Sequence, residues 1–306
     1  MKILITPRSY GKTDKSVFEL LEKNNIEYVI NPYGSILTKE QMIENIKDCD
    51  GIIVGVDPLD EEVLKNAPKL KVVSKYGVGV DNIDLDYCKA HDIKVTITKA
   101  ANANAVSDFA FALLMACARK VTIINDMCHK KDWTKVMGLD VYGKTIGVLG
   151  LGAIGKNVVK RASGFSMKIK AFDVYFDEEF AKEYNVEKST VEDILKTCDF
   201  ISLHLPLTEQ TNGIINKDAF DMMKNNAVII NTARGALINE DDLIDALKNN
   251  KIAAAGIDVF NEEPPSNEEL YKLDNLIMGS HASASTPGSS ETMSLMATQN
   301  IIDNLK

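Results

Sequence analysis

The apolar residues of this chain fall in short, β-branched runs separated by amphipathic stretches of helical period. The stretch 2–6 predicts a strand, closed by Pro7. A helix is expected over about 15–24 and a second strand over 27–30. Thr38, with Glu40 and Gln41 close behind it, reads as a helix N-cap. A third strand at 51–55 leads to a helix starting at Asp60, and a fourth at 70–74 to a helix near 84–91 and a fifth strand at 94–97. Strands with no polar alternation, interleaved with helices, predict a parallel sheet covered on both faces.

The second half repeats this rhythm around one unit. The run Ile146-Gly147-Val148-Leu149 predicts a buried strand, and Gly150-Leu151-Gly152-Ala153-Ile154-Gly155 follows at once. Val158, Val159 and Ala162 share a helical face, and a second apolar run at 167–172 ends in Asp173. Strand, glycine turn, helix, strand and acid make a dinucleotide-binding βαβ unit. Gly150 permits the tight turn, Gly152 lets a pyrophosphate approach the backbone, and Gly155 lets helix and strand pack closely. Ala153 and Ile154 open the helix, whose first N–H groups suit phosphate. Asp173 follows about 20 residues later, where a carboxylate meets the ribose diol and repels a 2′-phosphate, so NAD is expected rather than NADP.

Four more strands are expected, at 199–204, 227–231, 253–258 and 276–279. Ligands of open parallel sheets gather at the carboxyl ends of strands. Asp173, His204, Arg234, Asp258, Glu263 and His281 all fall at or just beyond such ends. Ahead of the glycine turn, 101–120 predicts a long amphipathic helix, and 127–142, carrying Trp133, a crossing segment or dimer arm.

With 306 residues, two domains are expected, and 45% apolar residues suffice for full cores. A net charge of −9 argues against nucleic acid as a partner and leaves an anionic substrate to local cations and backbone amides. The cysteines Cys49, Cys88, Cys117, Cys128 and Cys198 are odd in number and form no C-x-x-C, which fits reduced structural thiols in a cytoplasmic protein. The first apolar run is too short for a signal peptide, and no stretch reaches membrane-spanning length. No metal site is expected.

Oxidation of a hydroxy acid by a nicotinamide cofactor needs a base for the hydroxyl proton, a cation for the carboxylate and forming carbonyl, and a partner to orient the base. His281, Arg234 and Glu263 are of the right types. Each also has an ordinary reading, as a loop histidine, a surface arginine and a solvated acid, and Glu262 beside Glu263 is a rival for its place. The loop holding Gly77 and Gly79 could form a backbone nest for a carboxylate; an ordinary glycine turn fits it equally well.

The stretches GVGVDNID, GKTIGVLGLGAIG, HLPLTEQT, NTARGALIN, DVFNEEP and SHASAST, in this order, resemble the D-isomer-specific 2-hydroxyacid dehydrogenase family. The runs MGLDVYGKT and SHASAST are most similar to its D-3-phosphoglycerate dehydrogenase branch. The resemblance implies two doubly wound parallel α/β domains with a cleft between them. A flavodoxin-like substrate domain would comprise 1–99 and 285–306, and a Rossmann NAD-binding domain 100–284. It implies catalytic roles for Arg234, Glu263 and His281, with the acid directly before Pro264 fitting better than Glu262. Asp258 would meet the nicotinamide carboxamide, Asp173 the ribose, and His204, Pro206, Thr211, Thr232, Ala233 and the catalytic His281 would line the cofactor. Tyr76 and the amides of Val78 and Gly79 would meet the substrate carboxylate. A homodimer through the cofactor domain is implied, and the chain's end at Lys306 implies no C-terminal regulatory domain.

Some positions depart from the family pattern. Ala153 stands where a basic residue is frequent, Ser107-Asp108 where Ala-Glu is usual, and Ser283 where glycine is usual. Val54-Gly55-Val56-Asp57 lacks the basic loop that phosphoglycerate dehydrogenases place near the substrate phosphate, leaving Lys75 and Arg8 as candidate cations. The expected activity is NAD-dependent oxidation of 3-phosphoglycerate. The alternatives are reduction of hydroxypyruvate, glyoxylate or another 2-oxo acid and, more remotely, NADH sensing without catalysis.

Overall fold

The computed structural model describes residues 1–305. The first elements are β1 (Lys2–Ile5), α1 (Ser16–Lys23), β2 (Glu27–Ile30), α2 (Lys39–Ile46), β3 (Gly51–Val54), α3 (Glu61–Lys65), β4 (Val72–Lys75), α4 (Leu85–Ala90) and β5 (Lys94–Ile97). Next come α5 (Ala103–Arg119), α6 (Val121–His129), β6 (Thr145–Leu149), α7 (Ala153–Gly164), β7 (Lys168–Phe172), α8 (Glu178–Tyr184), β8 (Val186–Lys188) and α9 (Val191–Thr197). The chain closes with β9 (Phe200–Leu203), α10 (Lys217–Met222), β10 (Val228–Asn231), α11 (Glu240–Lys248), β11 (Ala254–Ile257), β12 (Leu276–Met278) and α12 (Pro287–Asn304). Two compact units result, one of Met1–Asn102 with the stretch from Ser285 onward, the other of Ala103–Ala284. The first division falls at 102–103 rather than 99–100, in a turn still tied to the end of β5 by Ala101 N–H donating to the Thr98 carbonyl. Lys306 lies outside the described residues.

The first unit is a parallel sheet ordered β2-β1-β3-β4-β5, whose direction of winding reverses between β1 and β3. The interior strands β3 and β4 are buried throughout, while the edge strands β2 and β5 are exposed or half-buried at every residue. One face packs Leu4, Ile52 and Val73 against Met42, Ile46 and Val63. The other packs Ile3, Ile5 and Ile53 against Val17, Leu21, Ala297 and Ile301. Apart from Ala297, each such side chain contributes about 2 kcal/mol by burial. The last two belong to α12, so the chain returns after residue 284 to cover a face that α1 alone leaves open. Local signals set the helix starts: Thr38 and Gln41 form a reciprocal capping box, and Asp60 and Asp84 cap α3 and α4.

The second unit is a seven-stranded parallel sheet ordered β12-β11-β10-β9-β6-β7-β8, with its reversal between β6 and β9. Ile146, Val148 and Ile230 pack against α5 and α7 through Leu113, Leu114, Val158 and Val159. Ile201, Ile229 and Ile257 pack on the opposite face against Ile194, Phe220 and Leu243. The long helix expected at 101–120 is α5. It ends where Lys120 takes a left-handed conformation, φ 52°, and α6 starts at the next residue. The expected arm at 127–142 is the end of α6 followed by a segment without helix or strand, from which Trp133, Met137 and Tyr142 stand out 81%, 86% and 79% exposed. Among the described residues no helix is long and apolar enough to cross a membrane.

Candidate active site

The glycine turn is built as its spacing requires. Gly150 has φ +101°, and a Cβ on it would lie 2.5 Å from the His204 carbonyl oxygen. A Cβ on Gly155 would lie 1.9 Å from the Gly150 carbonyl oxygen, so only glycine lets α7 approach β6 this closely. A Cβ on Gly152 would meet nothing within 4 Å, which leaves the backbone open where a pyrophosphate approaches. Gly152 is the N-cap of α7 and brings no side chain to the first N–H groups of Ala153 and Ile154. Asp173 closes the turn from the next strand. Its Oδ2 accepts from Leu151 N–H at 2.5 Å and its Oδ1 from Tyr175 N–H at 2.8 Å. The acid expected at the ribose thus also shapes the loop.

The residue pairing of Leu203 with Asn231 brings His204 and Thr232 to neighbouring positions at the carboxyl edge. Both carry a sealed polar atom with no partner among the described residues, Nδ1 of His204 and Oγ1 of Thr232. Orphaned buried polar atoms are rare in native proteins, and two at neighbouring strand ends fit a ligand rich in hydroxyls and amides, as NAD is. Thr211 is already engaged, donating from Oγ1 to the Pro206 carbonyl at 2.7 Å and so folding the loop that places Pro206. Burial pushes the His204 ring from 6.5 down to about 3. The unfolded chain therefore takes up a proton below pH 6.5 that the folded chain refuses until about pH 3, so this residue's contribution to stability is full above 6.5 and shrinks as pH falls. Tm should decline on acidification through that window, and less steeply in a His204→Asn variant; parallel Tm curves for the two proteins would exclude His204 as the cause.

A second group surrounds the ends of β10, β11 and β12. Buried Asn231 folds the turn after β10, its Oδ1 accepting from Ala233 N–H at 3.0 Å and its Nδ2 donating to the Arg234 carbonyl at 2.8 Å. Gly235 is required next, since a Cβ there would lie 2.1 Å from the Phe260 carbonyl carbon. Glu263 reaches back to its own loop, Oε1 accepting from Phe260 N–H at 3.1 Å, and its Oε2 lies 2.8 Å from Nδ1 of His281. Burial raises the Glu263 carboxyl, but the hydrogen bond and charge of His281, the Phe260 N–H and the charge of Arg234 outweigh it and hold the group below the usual carboxylate range. With an ionised acceptor at Nδ1, that nitrogen carries a proton and Nε2 is left for chemistry. Glu263, not Glu262, makes this contact.

His281 has φ 56°, a left-handed conformation uncommon for histidine. Asp258, fully buried, holds it there. Its carbonyl accepts from His281 N–H at 2.8 Å, and its Oδ1 and Oδ2 accept from Ala282 N–H at 3.0 Å and Ser283 N–H at 2.9 Å. Sequence reasoning assigned Asp258 only a cofactor contact and overlooked this loop-holding network and Asn231. The available signals were a polar residue ending a buried strand and the glycine at 279.

In the first unit, the loop after β4 is the one where an anion nest is expected. Gly77 has φ +132°, and among the described residues the N–H groups of Val78 and Gly79 make no hydrogen bond. Lys75 is buried, its ammonium donating to the Gly55 carbonyl and, at 2.7 Å, to Asn82 Oδ1. Asn82 in turn donates to the Asp57 carbonyl at 2.6 Å, and Asp57 accepts from the hydroxyl of Thr6. The loops after β1, β3 and β4 are thereby joined. Arg8 is exposed. Among the described residues no cluster of His, Cys, Asp and Glu could hold a metal.

A Rossmann-ordered sheet with this glycine turn and a His–Glu pair at its carboxyl edge defines a nicotinamide-dependent dehydrogenase. Residues 111–283 match the model of the D-isomer specific 2-hydroxyacid dehydrogenase, NAD binding domain. The chain is 40% identical over 273 residues to a glyoxylate reductase of Korarchaeum cryptofilum, covering 87% of this chain and 82% of that protein. It is 42% identical over 254 residues to a D-3-phosphoglycerate dehydrogenase of Methanocaldococcus jannaschii, covering 82% of this chain and 48% of that one. A solved NAD+-bound 3-phosphoglycerate dehydrogenase of Entamoeba histolytica superposes with a TM-score of 0.84 at 30% identity, over 99% of this chain and 94% of that one. The chain belongs to the D-isomer specific 2-hydroxyacid dehydrogenase family and is an NAD-dependent oxidoreductase acting on CH–OH groups.

Proposed function

We propose that the protein reduces a small, unphosphorylated 2-oxo acid, glyoxylate or hydroxypyruvate, with NADH. The observation that carries this reading is the fate of Lys75. The cation expected to meet a substrate phosphate is buried and spent on Gly55 and Asn82, and the neighbouring loop presents Val56 and buried Asp57 where a phosphate site needs positive charge. The glyoxylate reductase name borne by the Korarchaeum relative supports the same choice.

The roles of the side chains follow from their chemistry. Gly152, the first turn of α7 and Asp173 would hold the pyrophosphate and ribose, with His204 and Thr232 offering their unpartnered atoms to the cofactor. Bound there, NADH would supply a hydride for C2 of the 2-oxo acid. His281 gives the proton from Nε2 to the carbonyl oxygen as it becomes a hydroxyl, while Glu263 keeps Nδ1 protonated and the ring fixed. In the second unit Arg234 is the cation suited to polarise the carbonyl, and in the first unit the amides of Val78 and Gly79 are the candidate carboxylate donors. The apolar side chains exposed along 121–142, among them Val121 and Trp133, support the expected homodimer.

Steady-state NADH oxidation with glyoxylate, hydroxypyruvate, pyruvate and 3-phosphohydroxypyruvate tests the reading. We expect kcat/KM for glyoxylate or hydroxypyruvate to exceed that for the phosphorylated acid by at least about tenfold, the discrimination that one unmatched charged group commands. The reverse order would establish the second reading, D-3-phosphoglycerate dehydrogenase, which exposed Arg8 and the Methanocaldococcus relative favour.

A further inference from the structure

Helix α12 buries an unusual face. Ser290, Ser294 and Thr298, one turn apart, are 8%, 1% and 0% exposed. A buried hydroxyl without a partner costs about 1–3 kcal/mol, so such a face persists only against matching polar groups. These come from the loops after β1 and β4. Oγ1 of Thr298 lies 2.5 Å from the hydroxyl of Tyr10. Ser290 Oγ donates to the Ser9 carbonyl at 2.9 Å, and Gly11 N–H donates to Ser294 Oγ at 3.3 Å. At the centre is the Tyr76 hydroxyl, which donates to the Ser290 carbonyl at 3.0 Å and lies 3.1 Å from Ser294 Oγ. Its ring stands edge-on to that of Tyr10, 6.3 Å between centroids.

Tyr76 immediately precedes the nest. Its N–H donates to the Val54 carbonyl at 2.9 Å, and Gly77 is clamped to Thr98, N–H to Oγ1 at 2.8 Å and carbonyl to N–H at 3.0 Å. Beyond the nest, Asn82 fastens the loop to Gly55 and Asp57. The N–H groups of Val78 and Gly79 therefore hang between two fixed points, and the first point is tied to α12 through one hydroxyl. We propose that Tyr76 is a positioning residue for substrate binding: its hydroxyl, locked into the Ser290–Ser294 face of α12, sets the direction in which Val78 and Gly79 present their amides to the carboxylate of the 2-oxo acid. The inference rests on the reductase reading and adds to it the element that holds the carboxylate site in shape.

Tyr76→Phe keeps the ring and removes only the hydroxyl. We expect KM for glyoxylate to rise about five- to tenfold, as loss of one well-made hydrogen bond allows. kcat and KM for NADH should stay within about twofold, because the second unit is untouched. Oxalate, a carboxylate that cannot be reduced, should bind the enzyme–NADH complex more weakly by the same factor, and Ser294→Ala should move both quantities in the same direction. Unchanged KM and unchanged oxalate affinity in Tyr76→Phe would overturn the proposal. So would a joint fall in kcat, NADH affinity and Tm, which marks a merely structural tyrosine. A wild-type enzyme inert toward every 2-oxo acid, yet binding oxalate in a Tyr76-dependent way, would overturn the reductase reading and leave the positioning role standing.

Discussion

His281→Ala should lower kcat for 2-oxo acid reduction by about 10²- to 10⁴-fold, the range that a positioned general acid supplies. NADH affinity should change by less than about threefold, because the groups placed to hold the cofactor lie on other loops. The expectation comes from the geometry of one pair. Glu263 Oε2 lies 2.8 Å from Nδ1 of His281, and its other oxygen is fixed by Phe260 N–H. The ring is therefore held in one orientation and one tautomer, and proton transfer at Nε2 needs no search over rotamers. Glu263→Gln should reduce kcat less than His281→Ala does, since the amide can still accept from Nδ1 but no longer balances the charge of a doubly protonated ring. Stopped-flow reduction under single-turnover conditions, alongside fluorescence titration of NADH, reads both quantities. A His281→Ala enzyme that turns over normally but has lost NADH affinity would remove His281 from the chemical step.

These sites were unevenly legible in the sequence. The glycine turn, its flanking strands and Asp173 are contiguous, and each carries its own local physics: an apolar run, missing Cβ atoms and a helix start. The His281–Glu263 pair was legible as a pair of suitable types at strand ends, because open parallel sheets collect chemistry there. The missing part consists of side chains whose partners are distant or backbone. Lys75 reads as a cation available to substrate, and only the folded loops show it turned onto Gly55 and Asn82. Tyr76 and Ser290 are 214 positions apart, and the serine face of α12 hides it from any search for apolar stripes. The break between α5 and α6 depends on Lys120 in a left-handed conformation, which no glycine or asparagine announces. The proposed choice of an unphosphorylated substrate rests on the loops after β1, β3 and β4, where Lys75 is already engaged by Gly55 and Asn82.

Asp258→Ala offers the sharpest contrast between what resemblance implies and what the geometry supports. If Asp258 chiefly binds the nicotinamide carboxamide, its loss should raise the NADH dissociation constant well before it affects the chemical step. The structure favours the opposite order. Both carboxylate oxygens already accept backbone N–H groups, from Ala282 and Ser283, and the residue's carbonyl accepts from His281. Gly279 passes so close that a Cβ there would lie 2.2 Å from Asp258 Oδ1. These contacts keep His281 at φ 56°, a conformation that costs a non-glycine residue about 1–3 kcal/mol and persists only where its surroundings enforce it. Without the carboxylate the loop should relax toward negative φ and carry Nδ1 away from Glu263. We expect kcat to fall by about 100-fold while NADH affinity moves by less than about threefold. Asp258→Asn should fall between, since its amide nitrogen would face an N–H donor where an oxygen now accepts. Gly279→Ala, which crowds the same carboxylate from the other side, should reproduce the kcat defect. If instead NADH affinity collapses in Asp258→Ala and kcat survives at saturating cofactor, the cofactor contact is the residue's main task and the loop holds its shape by other means.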